Sequence, residues 1–128
     1  MFDAIGKLQE LQAGLEAGKE HIGDEILAQQ SAMDAIESPG VLEAKTKLLV
    51  AIGAIALARC DNCVVLHMPK LVAVGATKDE VMEAAAVAIS FGGGTTMAFI
   101  STVIAPAYDQ FAAAAAAGDG DHAGGLFD

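Results

Sequence analysis

Apolar residues in this chain recur at intervals of three and four and seldom of two, a spacing that confines the fold to helices. Aromatic residues make up only 5% while alanine is abundant, so strands have little to build on. The expected fold class is all-α, a compact bundle of about six helices. Ile5, Leu8, Leu11, Gln12 and Leu15 predict a first amphipathic helix over about residues 3–17. Ile22, Ile26, Leu27, Gln30, Met33 and Ile36 predict a second, stopped by the SPG at 38–40. The acidic residues of both read as a solvated face.

A third helix, about 42–59, opens with the polar EAKTK and continues as LLVAIGAIALA, apolar on every side, which predicts a central position. A fourth, about 61–74, contains Pro69, expected to kink it, with Gly75 as the stop. Thr77 and Glu80 have the spacing of a capping box opening a fifth helix that runs to about Phe91. A sixth starts after Gly94, passes through the alanines at 112–117 and bends at Pro106. Met68, Met82 and Met97 read as core filler. The GGGTT at 92–96 has no P-loop lysine and reads as a close helix contact. Residues 1–118 are expected to form one domain and 119–128 a mobile Gly-rich tail.

A hydrophobic content of 54% is high for a lone domain of 128 residues, so the chain either enters a membrane or buries surface against its own copies. Residues 84–108 carry no charge, yet glycines and hydroxyls at their centre favour two helices over one span. The N-terminal segment is charged throughout and lacks a signal-peptide core, which predicts a cytoplasmic protein away from membranes. A net charge of −10 with no basic cluster excludes nucleic acid as a partner.

Both cysteines and one of three histidines fall within CDNCVVLHMPK, residues 60–70. On a helix, Cys60, Cys63 and His67 share one stripe. A free thiol is only about 3% thiolate at pH 7, so reactivity needs help. The helix N-terminus and His67 can both supply it, most directly to Cys63. Cys60 is close enough to pair with Cys63, which makes a dithiol redox centre. Alternatives remain open: the cysteines are structural parts of a non-enzymatic helical oligomer, or they bind zinc. The zinc reading lacks an evident fourth ligand, His21 and His122 being distant in sequence. No metal or resident cofactor is expected.

Residues 45–99 resemble the core of the AhpD-like branch of the carboxymuconolactone decarboxylase family. The resemblance lies in C-x-x-C-x-x-x-H, the GAT leading into an acidic capping helix, and the GGG break, in that order. It implies a helical subunit, with a family-like core at about 42–105, that assembles into trimers or dimers of trimers. It also implies a thiol peroxidase or disulfide reductase. Cys63, deprotonated with help from His67, attacks a peroxide, and Cys60 resolves the sulfenic acid to a disulfide. An external dithiol, such as a lipoyl group or a small thiol protein, restores the pair; without peroxide, the same cycle would reduce a peroxiredoxin.

The family's relay glutamate, twelve residues before the first cysteine, is replaced here by Leu48. Glu43 lies about 7.5 Å away along a helix, and Glu83 reads as solvated surface. The peroxidase is therefore expected to be weak. A charged His67 would need another carboxylate, or the Cys63 thiolate, as its partner.

Overall fold

The computed structural model describes residues 1–118, and its secondary structure over them is all helical, with no strand. The helices are α1 (Ala4–Glu37), α2 (Ala44–Ala58), α3 (Asp61–Ala73), α4 (Lys78–Ala86), α5 (Ile89–Phe99) and α6 (Ala105–Ala116), with a π-helical turn Ile100–Ile104 joining the last two. The expected tail at 119–128 lies outside the described residues. One hydrophobic cluster runs through the bundle, with Leu8, Ile52, Val64, Met68, Leu71, Val81, Ile104 and Phe111 among its members.

The two helices expected over 3–36 are one helix with a kink. No proline or tight turn interrupts residues 18–23, so the chain stays helical and only Ile22 leaves helical dihedrals (φ −131°, ψ 36°). The half-buried stripe shows the consequence. It follows Leu11, Leu15 and Gly18, takes a step of five to Gly23, and resumes through Ile26, Gln30, Met33 and Glu37. Ile22, Leu27 and Ile36, expected on the inner face, are exposed instead.

The end of α1 is held by α2. Lys47 Nζ donates to the carbonyls of Ile36 (2.9 Å) and Ser38 (2.7 Å), placing a cation on the negative end of the helix. Ser38 caps the same end through its N–H and hydroxyl, both bonded to the Asp34 carbonyl. The polar EAKTK opening of α2 thus serves two neighbours, since Lys45 pairs with Glu80 of α4 at 2.8 Å.

Within one chain α2 is not central all round. Ile52, Ile55 and Ala56 are buried, but Val50 and Leu57 face outward. With Leu49, Gly53, Val87 and Phe91 they line an apolar groove of about 520 Å³ between α2 and the α4–α5 segment.

α3 runs through Pro69 without a break and ends as expected at Gly75. There the N–H of Ala76 reaches back to the Leu71 carbonyl and that of Gly75 to Val72, closing a Schellman motif around a left-handed glycine (φ 82°). The capping box forms as expected: the Thr77 hydroxyl accepts from Glu80 N–H, and the Glu80 carboxylate accepts from Thr77 N–H.

The fifth helix ends earlier than expected, at Ala86, and α5 begins at Ile89, before the glycines. Gly93 carries the local break (φ 66°, ψ −147°). Gly92 leaves room for the Thr96 side chain first and then for Leu57 of α2, whose Cδ1 would lie 3.0 Å from a Cβ there. The expected bend at Pro106 takes the form of the π turn just before it, which absorbs an extra residue where proline supplies no N–H. Met68 is buried and Met82 packs on the core, but Met97 is 55% exposed and fills nothing in this chain.

The continuous run Ile89–Ala116 is long and apolar enough to cross a membrane by length and composition. Ile100, Ile104, Ala107 and Phe111 lie one turn apart along it and are buried in the bundle's core, while most of its other residues are exposed or half-buried in the single chain.

Two stability tests follow from these end structures. Gly75→Ala places a Cβ in a left-handed residue and should lower unfolding free energy by about 1 kcal/mol in urea titration. Glu80 is held below the usual carboxylate range, chiefly by its bond to Lys45 and then by the Thr77 N–H. A carboxyl lowered in the folded state stabilises above its ordinary range, and that contribution is lost as pH falls through the lowered value. Glu80→Gln should therefore flatten the acid side of the stability profile, and an unchanged acid limb would contradict this account.

Candidate active site

α2 passes into α3 almost without a loop. Arg59 turns the chain in the left-handed region (φ 53°, ψ 47°), the only non-glycine among the described residues to do so, at a cost of roughly 1 kcal/mol. The turn places Cys60 at the N-cap of α3 and Cys63 in its first turn, where the two are joined as a disulfide with Cα atoms 5.2 Å apart. Both cysteines are half-buried, and Cys63 packs on the core.

The helix-start donor reaches a different sulfur from the one expected. Cys63 N–H donates to Cys60 Sγ at 3.1 Å, so the exposed end of the dipole acts on the N-cap sulfur. The physical reason is positional: a side chain at N-cap can fold back over the first turn, whereas one at the third helical position projects away from it.

His67 lies one turn on from Cys63 and is only 8% exposed. Its Nδ1 is 3.1 Å from the Cys63 carbonyl oxygen, and its Nε2 is 2.8 Å from Glu37 Oε2. The other Glu37 oxygen lies 3.5 Å from Lys70 Nζ. Glu37, at the last position of α1, is thus a half-buried carboxylate bound to two cations or potential cations, not part of a solvated face. Beside it is a cavity of about 340 Å³ lined by Asp34, Glu37, Ser38, Leu48 and Lys70.

The three residues expected at the site, Cys60, Cys63 and His67, all lie in the first two turns of α3 or at its cap. Glu37 was missed. Its signal was nevertheless present: the inner stripe Ile26, Gln30, Met33 continues by four residues to Glu37, a charge at a position reserved for burial. Leu48 is buried on the wall of the same cavity, while Glu83 is exposed as expected. His21 is exposed on α1, and His122 lies outside the described residues. Among the described residues no three Cys, His, Asp or Glu side chains gather as a metal-ligand set.

Chemically, the arrangement offers a two-electron thiol–disulfide pair at a helix start, with an imidazole buried one turn away and a carboxylate behind it. An uncharacterised protein from Cupriavidus necator is 32% identical to this chain over 76 residues, spanning 59% of this chain and 67% of its own length. The crystal structure of an apo carboxymuconolactone decarboxylase family protein from Legionella pneumophila superposes with a TM-score of 0.79. The match covers 85% of this chain and 96% of that one at 23% identity, a likeness of fold. The family model for carboxymuconolactone decarboxylases matches residues 27–105, well over half of the sequence and including Glu37, both cysteines and His67, and the chain belongs to that family.

Proposed function

We propose that this protein is a thiol-dependent oxidoreductase of the family's AhpD-like branch, acting as a peroxidase or disulfide reductase through Cys60, Cys63 and His67. The observation that carries the reading is the Cys60–Cys63 disulfide at the start of α3 with His67 buried one turn beyond it. Cysteines three residues apart at a helix start, with Cα atoms 5.2 Å apart, span a distance a disulfide can bridge.

The cycle balances as follows. The Cys63 thiolate attacks one peroxide oxygen, forming S–O as O–O breaks, and the departing alkoxide takes a proton to become an alcohol. The Cys60 thiol then attacks the sulfenic sulfur, forming the disulfide and releasing water. An external dithiol, of the lipoyl or small thiol-protein class, returns two electrons and two protons by exchange. With a protein disulfide in place of peroxide, the dithiol is itself the reductant, which makes a peroxiredoxin a fitting partner. Such a cycle suits the reducing cytoplasm.

The groove between α2 and the α4–α5 segment supports the homo-oligomer implied by the composition, since Val50, Val87 and Phe91 are each more than 60% exposed in the single chain. We assign its cover to further copies of this chain in a trimer or hexamer. Phe91→Glu should shift the light-scattering mass of the assembly towards the monomer.

The function is tested on the reduced protein with tert-butyl hydroperoxide, following thiol loss and intact mass together. The expected product is two protons lighter and carries the Cys60–Cys63 disulfide. Cys63→Ser should abolish peroxide consumption, and Cys60→Ser should leave a sulfenic acid that a dimedone probe traps. Persistent turnover by the Cys63→Ser variant would remove Cys63 as nucleophile.

A further inference from the structure

The histidine of this site sits between two acceptors, and one comes from a helix that the motif does not include. We infer that Glu37, the last residue of α1, is the carboxylate that sets the proton state of His67, in the role the family's pattern gives to the position occupied here by Leu48. The inference rests on the dithiol reading above and adds a positioning residue to it.

Hydrogen-bond accounting makes the case. His67 Nδ1 faces the backbone carbonyl of Cys63, which can only accept. Nε2 faces Glu37 Oε2, which can only accept while the carboxylate is ionised. Lys70 Nζ, 3.5 Å from the second oxygen of Glu37, gives that oxygen a donor of its own. A neutral imidazole carries one N–H and can satisfy one of these neighbours. Its other nitrogen would then point a lone pair at an oxygen. A second proton completes both bonds, and the ring's burial makes the unsatisfied alternative costly.

The dithiol one turn away supplies that proton. In the reduced protein, transfer from Cys63 Sγ–H to the ring leaves a thiolate and an imidazolium held by Glu37. After the thiolate has opened the peroxide O–O bond, the ring returns the proton to the departing alkoxide. Glu37 never touches sulfur or substrate. It holds Nε2–H in place, so that Nδ1, on the side of residue 63, is the nitrogen that gains and loses the proton.

Geometry explains how a carboxylate from another helix can serve. Leu48 and Glu37 line the same cavity from opposite elements, α2 and α1. The charged and titratable groups beside the ring and its partner are Glu37 and Asp34 from α1 and Lys70 from α3, with Cys63 and Cys60 one and two turns before His67 on α3. The α2 side of that cavity contributes the uncharged Leu48.

The test compares wild type, Glu37→Gln and the double variant Glu37→Gln/Leu48→Glu, each fully reduced, in reaction with tert-butyl hydroperoxide across pH. A glutamine amide can donate to Nε2 and so satisfies a neutral ring with its proton on Nδ1. Thiolate formation in Glu37→Gln should therefore move to higher pH, and the rate at pH 7 should fall at least about tenfold, within the range of acid–base contributions. Leu48→Glu in that background returns a carboxylate to the cavity and should recover much of the rate and the wild-type pH profile. A wild-type protein that consumes peroxide while Glu37→Gln keeps the same rate and profile overturns the role of Glu37 and leaves the dithiol reading intact. A slower variant with an unchanged pH profile and no recovery in the double variant also overturns it, because Glu37 would then only support the fold. Failure of the wild type to react with peroxide or to exchange with a disulfide removes the underlying reading instead.

Discussion

The site depends on where the first helix stops. Glu37 is the terminal residue of α1, and a shift of one residue turns a helical side chain by about 100° and would carry this one out of reach of His67. The stop is fixed from outside: Ser38 caps the last turn, and Lys47 of α2 binds the carbonyls on either side of Glu37. Those carbonyls are the negative end of the helix, so the clamp offsets the dipole and sets the register together. The third anchor is the pair with His67 itself. A helix that is mostly exposed along its length is in this way held at the end where it meets His67.

The second constraint is the near absence of a loop between α2 and α3. Passing from one helix to the next through a single left-handed arginine brings Cys60 to the cap of α3. Arginine has no intrinsic preference for that conformation, so the surrounding packing must hold it there. The half-buried disulfide is consistent with that demand, with Cys63 packed against the core.

Much of this was legible in the sequence, and the reasons for the rest are physical. Local signals read well because their cause is local: the Thr77–Glu80 box, the Gly75 stop, and the i, i+3, i+7 stripe of Cys60, Cys63 and His67 need only their own helix. Signals that depend on a neighbour did not. Lys47 reads as a polar helix opening until the end of α1 lies beside it. Met97 and the outer face of α2 read as core because apolar character says that a surface is covered, not by what. Ile22 hides the kink, having no proline or turn chemistry, and the kink shifted the inner stripe by one residue. Beyond the kink, Ile36 and Glu37 lie three and four residues past Met33, and apolar character favoured Ile36 for the inner face that Glu37 takes.

Glu37 shows the limit most sharply. A motif fixes residues by spacing along the chain, whereas an imidazole between two acceptors requires only that an acceptor be present at hydrogen-bond distance. When the position on α2 holds leucine, the requirement can be met by any element that borders the same cavity. The end of α1 borders it and carries a carboxylate. The leucine then forms an apolar wall of the cavity that the carboxylate borders. Loss of the motif residue and retention of its chemistry are therefore compatible, provided α1 ends where Lys47 and Ser38 make it end.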